Sequence, residues 1–161
     1  MTSVWGALAG GAIGTVVLTS GLRLAQETGL TRMEIPLLLG TALTESRRKA
    51  TVVGYAVHFA NGLLFSLVYA GVFAAVGRAG WLLGLALGAV HAALAGGILI
   101  DVLLPAVHPR MGTPWTDAEK TLLLEPPGFM LVNYGRRTAI WTLVVHIAYG
   151  AIVGGFAAQL G

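Results

Sequence analysis

The sequence predicts an all-α integral membrane protein, in which four transmembrane helices form two parallel two-helix repeats around a pseudo-two-fold axis along the membrane normal. Three observations lead to this fold class: the apolar composition, four long apolar stretches, and a set of motifs that occurs twice in the same order. Of the 161 residues, 56% are hydrophobic and 11% are charged, and the mean hydropathy is +0.79. Soluble domains carry about 25% charged residues, so the composition excludes an ordinary soluble protein.

Four apolar stretches are long enough to cross a bilayer as helices, which takes about 20 residues each. They cover approximately residues 4–22, 51–76, 81–106 and 139–160. None shows the strict apolar–polar alternation of a barrel strand. The whole chain, 1–161, is therefore predicted to be a single membrane domain.

The positive charges are distributed unevenly between the connections. The second connection holds Arg78, and the first and third hold the other nine of the ten Lys and Arg residues: Arg23, Arg32, Arg47, Arg48, Lys49, Arg110, Lys120, Arg136 and Arg137. Positive charge marks the cytoplasmic side of membrane proteins. We therefore expect a multi-pass protein of the inner membrane, with connections 1–2 and 3–4 in the cytoplasm and both termini outside.

Three motifs occur twice along the chain. Glu-x-Pro is found at 34–36 and 125–127, Arg-Arg-x-Ala at 47–50 and 136–139, and Val-His-x-Ala-x-Gly at 57–62 and 145–150. This order divides the chain into a first repeat of about 1–77 and a second of about 80–161. Each half has the same predicted topology, which is typical of a parallel repeat.

The two histidines of the repeated motif lie on helix faces made of small residues. His58 is spaced four residues apart from Gly54 and Gly62, and His146 from Thr142 and Gly150. Small residues at this spacing let helix backbones approach closely in lipid. The first and third spans carry similar faces, at Gly6, Gly10 and Gly14 and at Gly84, Gly88, Ala92 and Gly96. Both histidines are therefore expected to point into the bundle at similar depth.

Ionisable residues inside a membrane are costly, so each is a hypothesis of function. In one interpretation His58 and His146 bind a cofactor, such as a haem held by one imidazole from each of two helices. A non-haem metal would add carboxylates, and Glu34 and Glu125 are the symmetric candidates, since imidazole and carboxylate together suit iron, manganese or zinc. The sequence leaves the cofactor unidentified.

Two further interpretations need no metal. In one, the polar groups of the spans form a proton-active or quinone-type site, for which the candidates are His58, Asn61, His91, Tyr69 and Tyr149. In the other, the polar residues are structural, and each histidine bonds across a helix interface to a carbonyl or to Asn61. Asp101 aligns with Arg23 in the repeat, so these two are candidates for a structural ion pair.

Several motifs of known chemistry do not occur in the sequence. It contains no H-E-x-x-H, no G-x-S-x-G and no cysteine. A chain this small, with little mass outside the membrane, favours a non-catalytic accessory or assembly subunit of a larger inner-membrane complex. Its expected partners are membrane lipids and a larger membrane-protein complex or further copies of the chain, and no nucleic acid. The rival hypothesis is a cofactor- or metal-binding redox protein that uses His58 and His146.

The segments between the spans carry a resemblance. MEIPLLLGT at 33–41, HPRMGT at 108–113, EPPGF at 125–129 and NYGRRT at 133–138 resemble segments of small bacterial four-span membrane proteins. The resemblance covers most of the chain and implies the four-span fold. It carries no activity with it, and no functional residue is transferred from it.

Overall fold

The structure is a computed structural model that describes residues 2–111 and 124–159. It is helical, and the only β-pairing in the described residues is an isolated bridge between Met111 and Leu124. The helices are α1 (Val4–Glu27), α2 (Ile35–Thr41), α3 (Arg47–Val76), α4 (Trp81–Leu94), a π-helical segment (Ala95–Leu103), α5 (Leu104–Val107), a 3-10 turn (Phe129–Tyr134) and α6 (Thr138–Gln159).

Four helices of the described residues are long and apolar enough to cross a membrane, which indicates a multi-pass membrane protein. They are Val4–Glu27, Arg47–Val76, the continuous run Trp81–Val107, and Thr138–Gln159. Large apolar side chains on their outer faces are exposed, including Trp5 at 80%, Val52 at 69% and Leu82 at 64%. Apolar surface of this extent is what lipid would cover.

The predicted spans agree with these helices, with differences at their ends. Helix α1 continues five residues beyond the predicted end, because Arg23 and Glu27 pair one turn apart at 2.9 Å and support a polar last turn. Helix α3 begins at Arg47 instead of residue 51, where the Ser46 hydroxyl accepts a hydrogen bond from the backbone N–H of Lys49. Lys120 and residue 160, the predicted end of the fourth span, lie outside the described residues.

The spanning helices are antiparallel to their neighbours, and glycines set the distance between them. Along α1 and α6, Gly6 lies against the backbone of Phe156, and Gly10 against that of Val153. Along α4 and α6, Gly84 and Gly150 lie against each other so closely that a Cβ on either would overlap the other's carbonyl oxygen. The small-residue faces read from the sequence are therefore the contact faces of these helices.

Helices α3 and α4 are arranged differently from the other pairs. Helix α6 packs along both α1 and α4, and α3 packs along α1. Between α3 and α4 the backbones stay apart, and aromatic side chains fill part of the gap. The remaining space between these two helices contains the candidate site.

The first connection folds back onto the base of α3 as the short helix α2. Pro36 occupies its first turn, where a missing N–H costs nothing. Helix α2 lies close against α3, since a Cβ at Gly54 would overlap the carbonyl oxygen of Pro36 and one at Gly40 would overlap that of Ala50. The apolar segment of the first connection is thus a short helix packed on protein.

The π-helical segment continues α4 without a break and was not predicted. Its wider turn lies against the segment before α6, where the Leu131 side chain is 3.6 Å from the position of a Cβ on Gly96. In that segment Met130 and Leu131 adopt left-handed backbone conformations, with φ of 52° and 66°. Such conformations are unfavourable for residues other than glycine, so surrounding contacts must hold them.

Candidate functional site

Three histidines from three helices line one cavity in the gap between α3 and α4. The cavity has a volume of about 390 Å³, and we call it the central cavity. His58 comes from α3, His91 from α4 and His146 from α6. Much of the remaining lining is apolar, supplied by Leu18, Leu22, Met33, Leu99, Ile100 and Leu104.

His91 lies at the centre of an aromatic cluster. Its ring stacks on Phe65 with centroids 3.8 Å apart, and its edge-to-face partner His146 is 4.7 Å away. The Nδ1 atom of His91 is 3.4 Å from the hydroxyl of Tyr69. These contacts fix the ring between α3 and α6, and they make His91 part of the site that the sequence assigned to His58 and His146.

His146 is oriented by its own helix. Its Nδ1–H donates a hydrogen bond of 2.7 Å to the carbonyl oxygen of Thr142, one turn earlier in α6. This bond directs the other ring nitrogen, Nε2, away from that carbonyl and leaves its lone pair free to accept. Tyr149, one turn later, donates from its hydroxyl to the carbonyl of Gly62 and joins α6 to α3.

Two buried polar atoms at the cavity have no hydrogen bond within the described residues. They are Nε2 of His58 and the hydroxyl oxygen of Thr142, and both residues line the central cavity. An unsatisfied buried polar atom costs about 1–3 kcal/mol, so such atoms are rare in native proteins and call for an explanation. Both belong to side chains of the cavity wall, next to a space that a hydrogen-bonding group could occupy.

The cavity is bounded on its outer side by exposed residues of α3. Asn61 and Leu64 belong to its lining and lie on the exposed surface, with Leu64 59% exposed. Both positions fall within the apolar span Arg47–Val76. The opening between α3 and the π-helical segment therefore faces the region that lipid chains would occupy, with the Asn61 amide at its edge.

A second cavity, of about 410 Å³, meets the first at His58, and we call it the vestibule. It lies between the last turns of α1, the segment before α2 and the first turns of α3. Besides His58, seven polar or charged residues line it: Thr19, Arg23, Gln26, Glu27, Glu34, Thr51 and Tyr55. His58, Leu22, Met33 and Ile35 line both cavities.

The carboxylates proposed as metal ligands pair with arginines. Glu34 lies 3.9 Å from Arg47, and Glu125 lies 3.2 Å from Arg32. Within residues 2–111 and 124–159, no three His, Asp or Glu side chains are grouped so that they could hold a metal ion. The structure thus brings Glu34 to the vestibule beside His58, but it does not assemble His58, His146, Glu34 and Glu125 into one ligand set.

Arg23 and Asp101, the candidates for a structural ion pair, do not form an ion pair with each other among the described residues. Arg23 donates to Glu27 of its own helix at 2.9 Å and to the Tyr55 hydroxyl at 3.4 Å. Asp101 lies in the π-helical segment, and none of the ion pairs among the described residues includes it.

His108 joins α2 to the end of α5 at the basic end of the bundle, which is the end that carries the arginines of the first and third connections. It is buried, its Nδ1 accepts from the backbone N–H of Arg110 at 3.1 Å, and its Nε2–H donates to the carbonyl of Leu38 at 3.1 Å. Burial lowers the pKa of His108, and the nearby charge of Arg110 adds to this effect, which the bond to Leu38 partly offsets. This neutral imidazole holds α2 against the end of α5.

Comparison of the chain with protein-family models, with curated proteins and with solved structures finds no match. The chemistry of the site must therefore be read from its own residues. Three imidazoles, a threonine hydroxyl and an amide surround an apolar space open towards lipid. Such a set can hydrogen-bond the polar head of a hydrophobic molecule and exchange protons with it.

Proposed function

We propose that the protein binds a lipid-borne molecule whose polar head carries carbonyl or hydroxyl oxygens, a ligand of the quinone type. The observation that carries the proposal is the pair of unpartnered buried atoms, His58 Nε2 and Thr142 Oγ1, in two residues that line a largely apolar cavity of about 390 Å³. Head-group oxygens would accept from or donate to these atoms and recover the cost of burying them.

The position of the opening supports a hydrophobic ligand. Asn61 and Leu64 place the edge of the cavity within the apolar span of α3, so a ligand would enter sideways from lipid. His58 is eleven residues beyond Arg47, which is about 16 Å along the helix. A head group at this depth is within reach of a molecule whose tail remains among lipid chains.

The test is binding of a short-chain ubiquinone to the protein in nanodiscs, measured by quenching of tryptophan fluorescence. We expect saturable binding that weakens about tenfold in His58→Ala and in Thr142→Val, since each loses one hydrogen bond worth about 1.4 kcal/mol. Thr28→Val is the matched control, because the Thr28 hydroxyl bonds to the carbonyl of Leu24 and lines neither cavity. Equal affinity in all three variants would reject the site.

The same preparation tests the haem and metal alternatives. An absorption spectrum and elemental analysis of the wild type and of the double variant His58→Ala/His146→Ala measure them directly. A Soret band or a stoichiometric metal that disappears in the double variant would replace the quinone-type ligand with a coordinated one.

We retain a second candidate, the accessory subunit of a larger inner-membrane complex, because of a groove on the outer face of α1 and α3. Small residues line it, including Ser20, Ala56 and Ala60, and its volume is about 610 Å³. Small residues on a lipid-facing surface favour close packing of another helix. Co-purification of a large complex in mild detergent, lost in Ala56→Leu/Ala60→Leu, would support this role, and a lone chain in both would oppose it.

We also propose two features of the topology: the parallel two-helix repeat, and a membrane orientation with both termini outside. The parallel repeat is supported by the repeated motifs and by the antiparallel packing of the two helices within each half. The cytoplasmic position of the basic end rests on the distribution of Lys and Arg. Reporter fusions at residue 78, in the connection between α3 and α4, and at the carboxyl terminus test the orientation, since both are expected outside.

A further inference from the structure

We propose that the vestibule is an aqueous route through which water and protons from the basic end of the bundle reach His58, and that His58 relays protons to the head group of a ligand in the central cavity. The relay rests on the proposed function, since it needs a head group to serve. The aqueous route does not depend on that function and can be tested alone.

The two cavities differ in chemistry on either side of one imidazole. In the vestibule, charged and polar side chains share the lining with Leu22, Met33, Ile35 and Pro36, whereas the central cavity is mainly apolar. Within the spans, charged and polar groups are stable where they contact water or each other. A space of about 410 Å³ with this lining has ample room and enough polar partners for several water molecules.

Hydrogen bonds link several polar groups of the vestibule in a chain that leads in the direction of His58. Glu27 accepts from Arg23, and Arg23 donates to the hydroxyl of Tyr55. Tyr55 precedes His58 by three residues on α3, so the two side chains lie on one face of the helix. Ordered water in the vestibule would continue this chain of hydrogen bonds to the imidazole.

Histidine suits a position between two such spaces. An imidazole accepts a proton on one ring nitrogen and releases one from the other, so it transfers a proton without any net change in its own charge. In the proposed step a hydronium ion in the vestibule gives a proton to one ring nitrogen of His58, and the proton on the opposite nitrogen passes to an ionised head-group oxygen. The vestibule is left with neutral water, and the head group becomes neutral. The charged and titratable groups that line the two cavities together with His58 are Arg23 and Glu27 of α1, Glu34 before α2, Tyr55 of α3, His91 of α4, and His146 and Tyr149 of α6.

The absence of cysteine from the sequence makes the aqueous route directly measurable. Single cysteines are placed at Thr51, Tyr55 and His58, and the protein in nanodiscs is treated with a charged, water-soluble methanethiosulfonate. This reagent needs a thiolate, which forms only where water reaches the sulfur. The control on the same helix is Phe59→Cys, which lies outside the vestibule lining and on the exposed face.

We expect the modification rates of Thr51→Cys, Tyr55→Cys and His58→Cys to lie within about tenfold of one another. All three rates should be at least about a hundredfold higher than that of Phe59→Cys. Adding Thr51→Trp to His58→Cys fills the rim of the vestibule and should slow the reaction. If Tyr55→Cys and His58→Cys react as slowly as Phe59→Cys, the route is closed and the proposal falls.

The relay is tested with a probe that changes colour on ionisation, a 2-hydroxy-3-alkyl-1,4-naphthoquinone bound to the protein. After a rapid pH jump, ionisation of the bound probe should be at least about tenfold slower in His58→Leu than in the wild type, and unchanged in Thr28→Val. An unchanged rate in His58→Leu would overturn the relay. Failure of the probe to bind the wild type would count against the proposed function, whereas the thiol reactions would still decide the route.

Discussion

The ring of His91 stacks on the ring of Phe65, with centroids 3.8 Å apart and planes 25° from parallel, and this contact joins α4 to α3 where their backbones are separated. The Tyr69 hydroxyl, 3.4 Å from Nδ1 of the same imidazole, adds a second link between the two helices. The central cavity lies beside these contacts. The stack therefore both holds the helices together and forms part of the cavity wall.

Replacing Phe65 by alanine should weaken this junction. We expect Phe65→Ala to lower the free energy of unfolding by about 2 kcal/mol, since a half-buried ring and a stacked pair are lost. His91→Phe keeps a ring on Phe65 and should cost less than Phe65→Ala. The measurement is unfolding by titration from mild detergent into sodium dodecyl sulfate. The control, Phe59→Ala, removes an exposed ring of α3, and an effect as large as that of Phe65→Ala would show that the stack contributes nothing specific.

The close contact of α4 with α6 gives a second prediction. Gly150→Ala should destabilise the protein by about 1–3 kcal/mol, because the new Cβ would overlap the carbonyl oxygen of Gly84 and the helices would have to separate. Gly155→Ala is the matched control on the same helix, since a Cβ there meets no atom within 4 Å. Alanine at that position should be neutral or stabilising by up to about 1 kcal/mol. The same unfolding titration compares the two, and equal effects would contradict close packing at Gly150.

The helices could be predicted from the sequence because a long apolar stretch has few other outcomes in a membrane protein. The contact faces followed from small residues at four-residue spacing, as at Gly84 and Gly88. The π-helical segment has no comparable signal. Its residue Gly96 lies against Leu131, which is distant along the chain, so no local pattern around Gly96 could indicate the contact.

The candidate site was only partly predictable. The predicted repeat drew attention to His58 and His146, but its alignment of the first and third spans, at an offset of 78 residues, sets His91 against Ile13 and so suggests no symmetric partner for it. In the structure Ile13 is 45% exposed, whereas His91 is buried against His146. Thr142 lies four residues before His146 on the predicted face, so helical spacing alone could have identified it as a site residue.

The junction at His108 predicts a dependence of stability on pH. Because the pKa of His108 is lowered in the folded protein, the unfolded chain binds a proton first as the pH falls below about 6.5. Stability contributed by the neutral imidazole is therefore complete above this pH and is lost as the pH falls towards the lowered pKa. Protonation would place a hydrogen on Nδ1, where the Arg110 N–H now donates.

The measurement is the free energy of unfolding from about pH 7.5 to about pH 5.5, in the wild type and in His108→Gln. The glutamine side chain does not titrate in this range, so the difference between the two curves isolates His108 from the other histidines. We expect the wild type to lose its advantage over His108→Gln as the pH falls. Parallel curves would show that the protonation state of the His108 imidazole does not affect the free energy of unfolding.

The left-handed pair before α6 gives the last prediction, because its two residues share a backbone conformation but differ in burial. Met130 is half-buried and Leu131 is completely buried, with φ of 52° and 66°. Glycine adopts this conformation without the cost of about 1–2 kcal/mol that other residues incur. Met130→Gly should therefore change the free energy of unfolding little, since the relief of backbone strain offsets the lost packing of a half-buried side chain. Leu131→Gly should instead lower it by about 2–4 kcal/mol, because the loss of a buried leucine outweighs the same relief. Leu131→Ala, which removes the side chain and keeps the strain, should be less stable than Leu131→Gly, and the reverse order would show that the left-handed conformation is not populated.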